Sequence, residues 1–178
     1  MTNLQDDELL ESMSAAGIPA RFQSKAVTIK DATSNKELIE LARNRSALRE
    51  AVRSLDAVAL IGEERRVPYL FARALLFAGI GVTCTTSNRL SEMIETRNAE
   101  QLADSISDKT LCVLDFHNKK WTEFPLGPPA AFRLELFLKR YVENGGVLIL
   151  DLDTQLAGVT WWSKRFVSSL NNTREFQV

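Results

Sequence analysis

Between Ala57 and Asn171 a short apolar run is followed, four times over, by a longer segment of helical periodicity. The runs Ala57–Ile61, Gly81–Thr85, Thr110–Asp115 and Val147–Asp151 have strand length, and the segments Pro68–Ala78, Asn88–Ile106, Pro129–Asn144 and Val159–Asn171 have helix length. Strands separated by helices cannot pair as hairpins; each connection is a crossover that lays a helix on a mostly parallel sheet. With Glu175–Val178 as a further strand, the rhythm predicts a doubly wound α/β domain of about five strands, helices on both faces and no lid domain. Pro68 suits a first helical turn, where its missing N–H costs nothing. Ser87 or Asn88 is the expected cap of the second helix, with Glu92 at its positive end. Asn144-Gly145-Gly146 closes the helix before the fourth strand.

Upstream of this core, Leu9, Leu10 and Met13 mark an amphipathic helix over Leu4–Ala16, stopped by Gly17-Ile18-Pro19. The alternation Ala26-Val27-Thr28-Ile29, with Phe22 before it, predicts an extended stretch over Ala20–Lys30 that covers a sheet edge. One helix is expected from Asn35 to about Ser54, on an apolar face of Leu38, Ile39, Leu41, Leu48, Val52 and Leu55. The chain thus divides into a lead-in, residues 1–34, and an α/β domain, residues 35–178. Arg43, Arg45, Arg49 and Arg53 decorate the long helix, either as a solvated face or as contacts for nucleic-acid phosphates or an acidic partner.

A formal net charge of −1 excludes a globally basic nucleic-acid binder and leaves room for a local basic face. Cys84 and Cys112 lie in strand-like runs with no further Cys or His at metal-ligand spacing, so they read as buried reduced thiols and no metal site is expected. The acidic start MTNLQDDELLESM is not a signal peptide and no run reaches membrane-spanning length; a soluble, cytoplasmic protein is expected. His117 has no sequence signal pairing it with a nucleophile, and reads as a surface histidine.

The turn after the first strand, Gly62-Glu63-Glu64-Arg65-Arg66-Val67-Pro68-Tyr69, stands where a phosphate-binding loop G-x-x-x-x-G-K-[ST] would lie. Val67 takes the place of the second Gly, Pro68 that of the Lys and Tyr69 that of the hydroxyl, while Glu63 and Glu64 stand where phosphates would approach. The longest connection, Phe116–Pro128, carries His117, Lys119, Lys120, Trp121 and Phe124 at the carboxyl end of a strand, where ligand loops of such sheets lie. Adjacent indoles at Trp161-Trp162 cannot both face one core from a helix. With Lys164 and Arg165 beside them, Trp162 is a candidate partner or DNA contact, as are Lys119, Lys120 and Trp121. Asp115, Asp151 and Asp153 gather at neighbouring strand ends, either as remnants of a lost site or as Mg²⁺ ligands.

The segment Ala16-Gly17-Ile18-Pro19-Ala20-Arg21-Phe22 is similar to the Gly-Ile-Pro-x-Arg-(Tyr/Phe) lead-in of the helicase-loader family, the AAA+ ATPases of the DnaC and IstB type. The resemblance continues through the strand ending at Gly62, Leu111–Asp115 at the Walker B position and Val147–Asp153 at the sensor 1 position, covering about residues 15–178. It implies a P-loop NTPase, AAA+-like core whose N-terminal helicase-binding domain is absent or reduced to the first helix. Against the family pattern, the Walker B acidic pair is Asp115-Phe116, and sensor 1 falls at Asp151-Leu152-Asp153-Thr154. Ser169 stands at the place of the Arg that serves a neighbouring subunit's ATP. The resemblance thereby implies a pseudo-ATPase without a cofactor, binding a replicative helicase, a loader-type ATPase or DNA in replication or mobile-element recombination, as a monomer or hetero-complex. The alternative is a divergent nucleotide- or metal-dependent ATPase or phosphoesterase using the acidic cluster.

Overall fold

The computed structural model describes residues 3–24, 26–106, 110–114, 128–152 and 166–178. Helix α1 spans Asn3–Ala15; two 3₁₀ turns follow at Ala20–Phe22 and Ile29–Asp31; then come α2 (Lys36–Arg43), α3 (Arg45–Ser54), β1 (Ala57–Ile61), α4 (Val67–Phe77), β2 (Val82–Thr86), α5 (Ser87–Thr96), α6 (Ala99–Ser105), β3 (Thr110–Leu114), α7 (Pro128–Glu143), β4 (Val147–Leu152) and β5 (Thr173–Gln177). The strands form one sheet in the order β2-β3-β4-β1-β5, and every pairing is parallel. None of the described helices is long and apolar enough to cross a membrane.

Strand alternation sends side chains to two cores. On one face Val58, Leu60, Cys112, Leu114, Ile149 and Phe176 meet α4, α2, α3 and the N-terminal segment. On the other, Ala57, Leu111, Val113, Leu148 and Leu150 meet α5, α6 and α7. The lead-in is therefore built into the core: Met13, Ile18, Phe22 and Ile29 are buried with α4.

Several sequence expectations are corrected. The helix expected over Asn35–Ser54 is two helices, because Asn44 is extended and its side-chain oxygen accepts from the Ala47 N–H at 3.0 Å, ending α2 and capping α3. The helix expected over Asn88–Ile106 is likewise broken at Asn98, whose side chain accepts from the Glu100 and Gln101 N–H groups. Its start is capped by Thr86, not by Ser87 or Asn88, through the Arg89 N–H. The stretch Ala20–Lys30 is not extended along the sheet; it folds into the two 3₁₀ turns, the second closed by a Thr28/Asp31 capping box. Protection of the β2 edge comes instead from Ala16, whose carbonyl accepts from the Cys84 N–H at 2.8 Å. On α7 the buried side chains are Leu134, Phe137, Leu138 and Tyr141, while Phe132 is exposed.

Candidate functional site

The turn between β1 and α4 sits at the carboxyl ends of the strands, but its backbone is committed to the protein itself. The Gly62 N–H donates to the Leu152 carbonyl at 2.7 Å, and the Val178 N–H donates to the Ile61 carbonyl at 2.8 Å. Val178 lies so close over Gly62 that a Cβ there would collide with the Val178 carbonyl. Gly62 is thus required by the approach of a neighbouring chain segment. At the start of α4, where an anion would meet free N–H groups, the Glu64 carboxylate is already seated. It accepts from the Arg66 N–H at 3.1 Å, from Arg66 Nε at 2.8 Å and from the Arg66 terminal nitrogen at 2.6 Å. The Glu64 backbone carbonyl accepts from the Val67 N–H. The Arg66 hydrogen bonds hold the Glu64 carboxyl below the usual glutamate range, and Glu64 in turn raises the Arg66 guanidinium. Pro68 lies within the first helical turn, as its ring favours.

Beside the loop is a cleft of about 460 Å³ lined by Arg21, Phe22, Arg65, Arg66, Tyr69, Leu114 and Asp151. Its wall comes from the lead-in: Phe22 stacks on Tyr69 with centroids 5.1 Å apart, and the Arg21 guanidinium lies 4.7 Å from the Phe22 ring centroid. Tyr69, at the position of the phosphate-loop hydroxyl, is therefore a packing partner for the lead-in. Asp151 closes the cleft at the end of β4, and Glu63 is exposed on the loop.

The lead-in is held by a residue that the sequence pattern left unnoticed. Arg73, in the middle of α4, is buried and donates to the carbonyls of Phe22 (2.8 Å), Ser24 (2.5 Å) and Val27. Desolvation lowers its pKa. The sequence signal for the cleft wall is the Arg21-Phe22 pair; that for the clasp is Arg73, one charge in an apolar helix.

The other candidates are scattered. Arg43, Arg45, Arg49 and Arg53 are all exposed on α2 and α3, away from the cleft; Arg49 Nε donates to the Ala78 carbonyl at the far end of α4. Asp115, Phe116, Lys119, Lys120, Trp121, Asp153, Trp162, Lys164 and Arg165 lie outside the described residues, as does His117. Ser169 donates its hydroxyl to the Phe166 carbonyl. Cys84 and Cys112 are paired in register on β2 and β3, and Cys112, fully buried, has its thiol pKa pushed up by its hydrogen bond with Cys84 and by burial. Both causes favour the protonated thiol at neutral pH.

No family model matches the chain, and no curated protein matches it in sequence. Among solved structures, the replication initiator DnaA bound to AMPPCP and single-stranded DNA is similar with a TM-score of 0.55 and 12% identity, over 87% of this chain and 51% of that one. The chain spans about half the length of that structure. At this identity the likeness is one of fold, and it agrees with the five-stranded parallel α/β sheet described above.

Proposed function

We propose that the protein is a non-hydrolysing AAA+-like interaction protein of DNA replication or mobile-element recombination, helicase-loader-like, that binds a replicative helicase or a related loader-type ATPase without consuming ATP. One observation carries this reading: the Glu64 carboxylate occupies the anion position at the start of α4, fixed by the Arg66 N–H and guanidinium. A triphosphate arriving there meets a carboxylate already paired with Arg66 and finds Pro68 and Tyr69 where it needs a Lys and a Mg²⁺-holding hydroxyl. Phosphoryl transfer depends on positioning and charge stabilisation; the loop lacks the Lys and the hydroxyl that supply them, and its Arg66 is engaged by Glu64. An AAA+-like core that no longer orders a nucleotide keeps its surfaces, and surfaces are what a partner reads.

Thermal unfolding with ATP–Mg²⁺, and with Mg²⁺ alone, tests the first half. A ligand at a hundred times its Kd stabilises by about 2.7 kcal/mol, several degrees in a chain of this size. We expect no shift with either; a rise of several degrees with ATP–Mg²⁺ sinks the proposal, and one with Mg²⁺ alone supports a metal-dependent enzyme. For the second half, the tagged protein is expected to co-purify with the replicative helicase or a loader-type ATPase of its own host, identified by mass. Recovery of neither removes the partner assignment.

A further inference from the structure

The chain's two cysteines, far apart in sequence, stand side by side in the sheet. Cys84 on β2 and Cys112 on β3 are register partners in a parallel pair, so one strand spacing, about 4.8 Å, separates their backbones. A disulfide spans Cα separations of about 4.4–6.8 Å. Both side chains leave the same face of the sheet: Cys112 belongs to the core beneath α4, and Cys84 packs against that core. The two thiols are hydrogen-bonded to each other. They differ in access, since Cys112 is fully buried while Cys84, on the outermost strand, is half-buried. Gly17, the lead-in residue against Cys84, brings no side chain over it; a Cβ there would stand 3.6 Å from the Cys84 Cβ and 2.8 Å from its carbonyl oxygen. The adjacent Ala16 carbonyl accepts from the Cys84 N–H, so the pair sits at the seam between the lead-in and the sheet. Among the described residues no third His, Cys, Asp or Glu completes a metal-binding group with them. Two touching thiols by themselves have one chemistry open to them, oxidation to a disulfide.

We propose that Cys84 and Cys112 form a modification site at which hydrogen peroxide converts the two thiols into an intrachain disulfide. Cys84 reacts first, because it is the thiol a small oxidant reaches. Its sulfur attacks a peroxide oxygen: the S–O bond forms, the O–O bond breaks, and the thiol proton leaves with the departing hydroxide as water. The product is a sulfenic acid on Cys84. The Cys112 sulfur then attacks the Cys84 sulfur; the S–S bond forms, the S–O bond breaks, and the Cys112 proton leaves with hydroxide as a second water. Two electrons pass from the sulfurs to one peroxide, and two waters balance the step. Cys112 needs no access of its own, since its position beside Cys84 replaces concentration. Burial and the hydrogen bond favour its protonated form, which shields it from solvent oxidants and leaves it to meet the sulfenic acid next to it. The bond closes the segment 84–112, with α5 and α6 inside it, and staples the edge strand to the sheet. This site is independent of the loop and of the partner assigned above.

The test uses the full chain, reduced, freed of reductant and exposed to hydrogen peroxide both in native buffer and in concentrated urea. After quenching with catalase, alkylation under denaturing conditions and digestion with trypsin, mass spectrometry reads the state of each cysteine. In native buffer the wild type is expected to lose about 2 Da, the two thiol hydrogens, together with both sites of alkylation. The tryptic peptides 74–89 and 110–119 are then joined, and dithiothreitol separates them. Cys112→Ala removes the resolving thiol, so sulfenic acid accumulates on Cys84 and is captured by dimedone. In Cys84→Ala the buried Cys112 stays open to alkylation and carries no dimedone. Should Cys112→Ala lose its thermal transition, Cys112→Val, which refills the volume, takes its place. Two cysteines that both remain alkylatable after peroxide in native buffer overturn the proposal. So do joined peptides that form only in urea, where chance encounter in the unfolded chain makes the bond, and a disulfide that links two chains in place of one. Dimedone capture at Cys112 in Cys84→Ala equal to that at Cys84 in Cys112→Ala overturns the order of the two steps and the proposal with it.

Discussion

Arg73 shows how one side chain can decide the path of a whole segment. The carbonyls of Phe22, Ser24 and Val27 lie outside the strand ladders and are satisfied by one guanidinium. Arg73→Ala removes that donor and strands buried acceptors, each such bond to a charged group contributing about 1.5–3 kcal/mol. We expect a loss of at least about 2 kcal/mol in urea unfolding, with early proteolysis confined to residues 20–31; unchanged protease resistance would show that apolar burial alone holds the lead-in. Glu64 permits a pH prediction. Its folded pKa is depressed by Arg66, so its contribution is present above the unfolded value near 4.3 and is lost as pH falls through the lower folded value. The stability gap between wild type and Glu64→Gln is expected to be small, because the pair is partly solvent-exposed, and to close as pH falls from the usual glutamate range through the lower folded value. A gap that widens on acidification would mean that Glu64 is not held as a carboxylate. Neither residue's role is legible locally: Arg73 is one charge in an apolar helix, and Glu64 is a mismatch to a phosphate loop.

At the scale of elements, the sequence gives away most of the sheet and misplaces the helix breaks, and the difference has a cause. An apolar run of five bounded by Gly or charge, such as Ala57–Ile61, is short enough to be a strand and nothing else, and β1 spans those same residues. The helices around Asn44 and Asn98 keep their apolar periodicity across the break, and Asn costs little in a helix interior. What breaks them is a side-chain oxygen taking N–H groups of the next turn, a choice settled by packing of two short helices at an angle on the core. Asn44→Ala is therefore expected to cost about 0.5–2 kcal/mol and Asn44→Gly only a few tenths, because Gly keeps the extended backbone available. Equal costs would point to the C-terminal end of α2 in place of the cap on α3. The Ala26–Ile29 alternation misled for the converse reason: period two marks a strand only where a neighbour takes the backbone bonds, and here the Val27 carbonyl goes to Arg73.

For the molecule as a whole, the alternation of strands and helices predicts a parallel doubly wound sheet but not which residues close it. The contact that reshapes the phosphate-loop position joins Gly62 to Val178, 116 positions apart, and no local pattern reports such a pairing. β5 makes it. The strand pairs with β1 in parallel register, Leu60 opposite Phe176, and its edge is pinned by Asn35 Nδ2 donating to the Gln177 carbonyl at 2.9 Å and by an Arg174–Glu37 ion pair. Phe176 is 1% exposed within the core that includes Val58, Leu60 and α4. If β5 is an integral strand, Phe176→Ala costs about 3–5 kcal/mol, as for other fully buried rings. Because the loop shares that strand, the same substitution is expected to speed amide exchange at Gly62 along with that at Phe176 and Val178, while amides of β3 stay protected to the global limit. A loss under about 1 kcal/mol with exchange at Gly62 unchanged would mean that β5 only drapes over the edge. In that case the loop's closed form would have to come from Glu64 and Arg66 alone, and Glu64→Gln, not Phe176→Ala, would be the substitution that releases it.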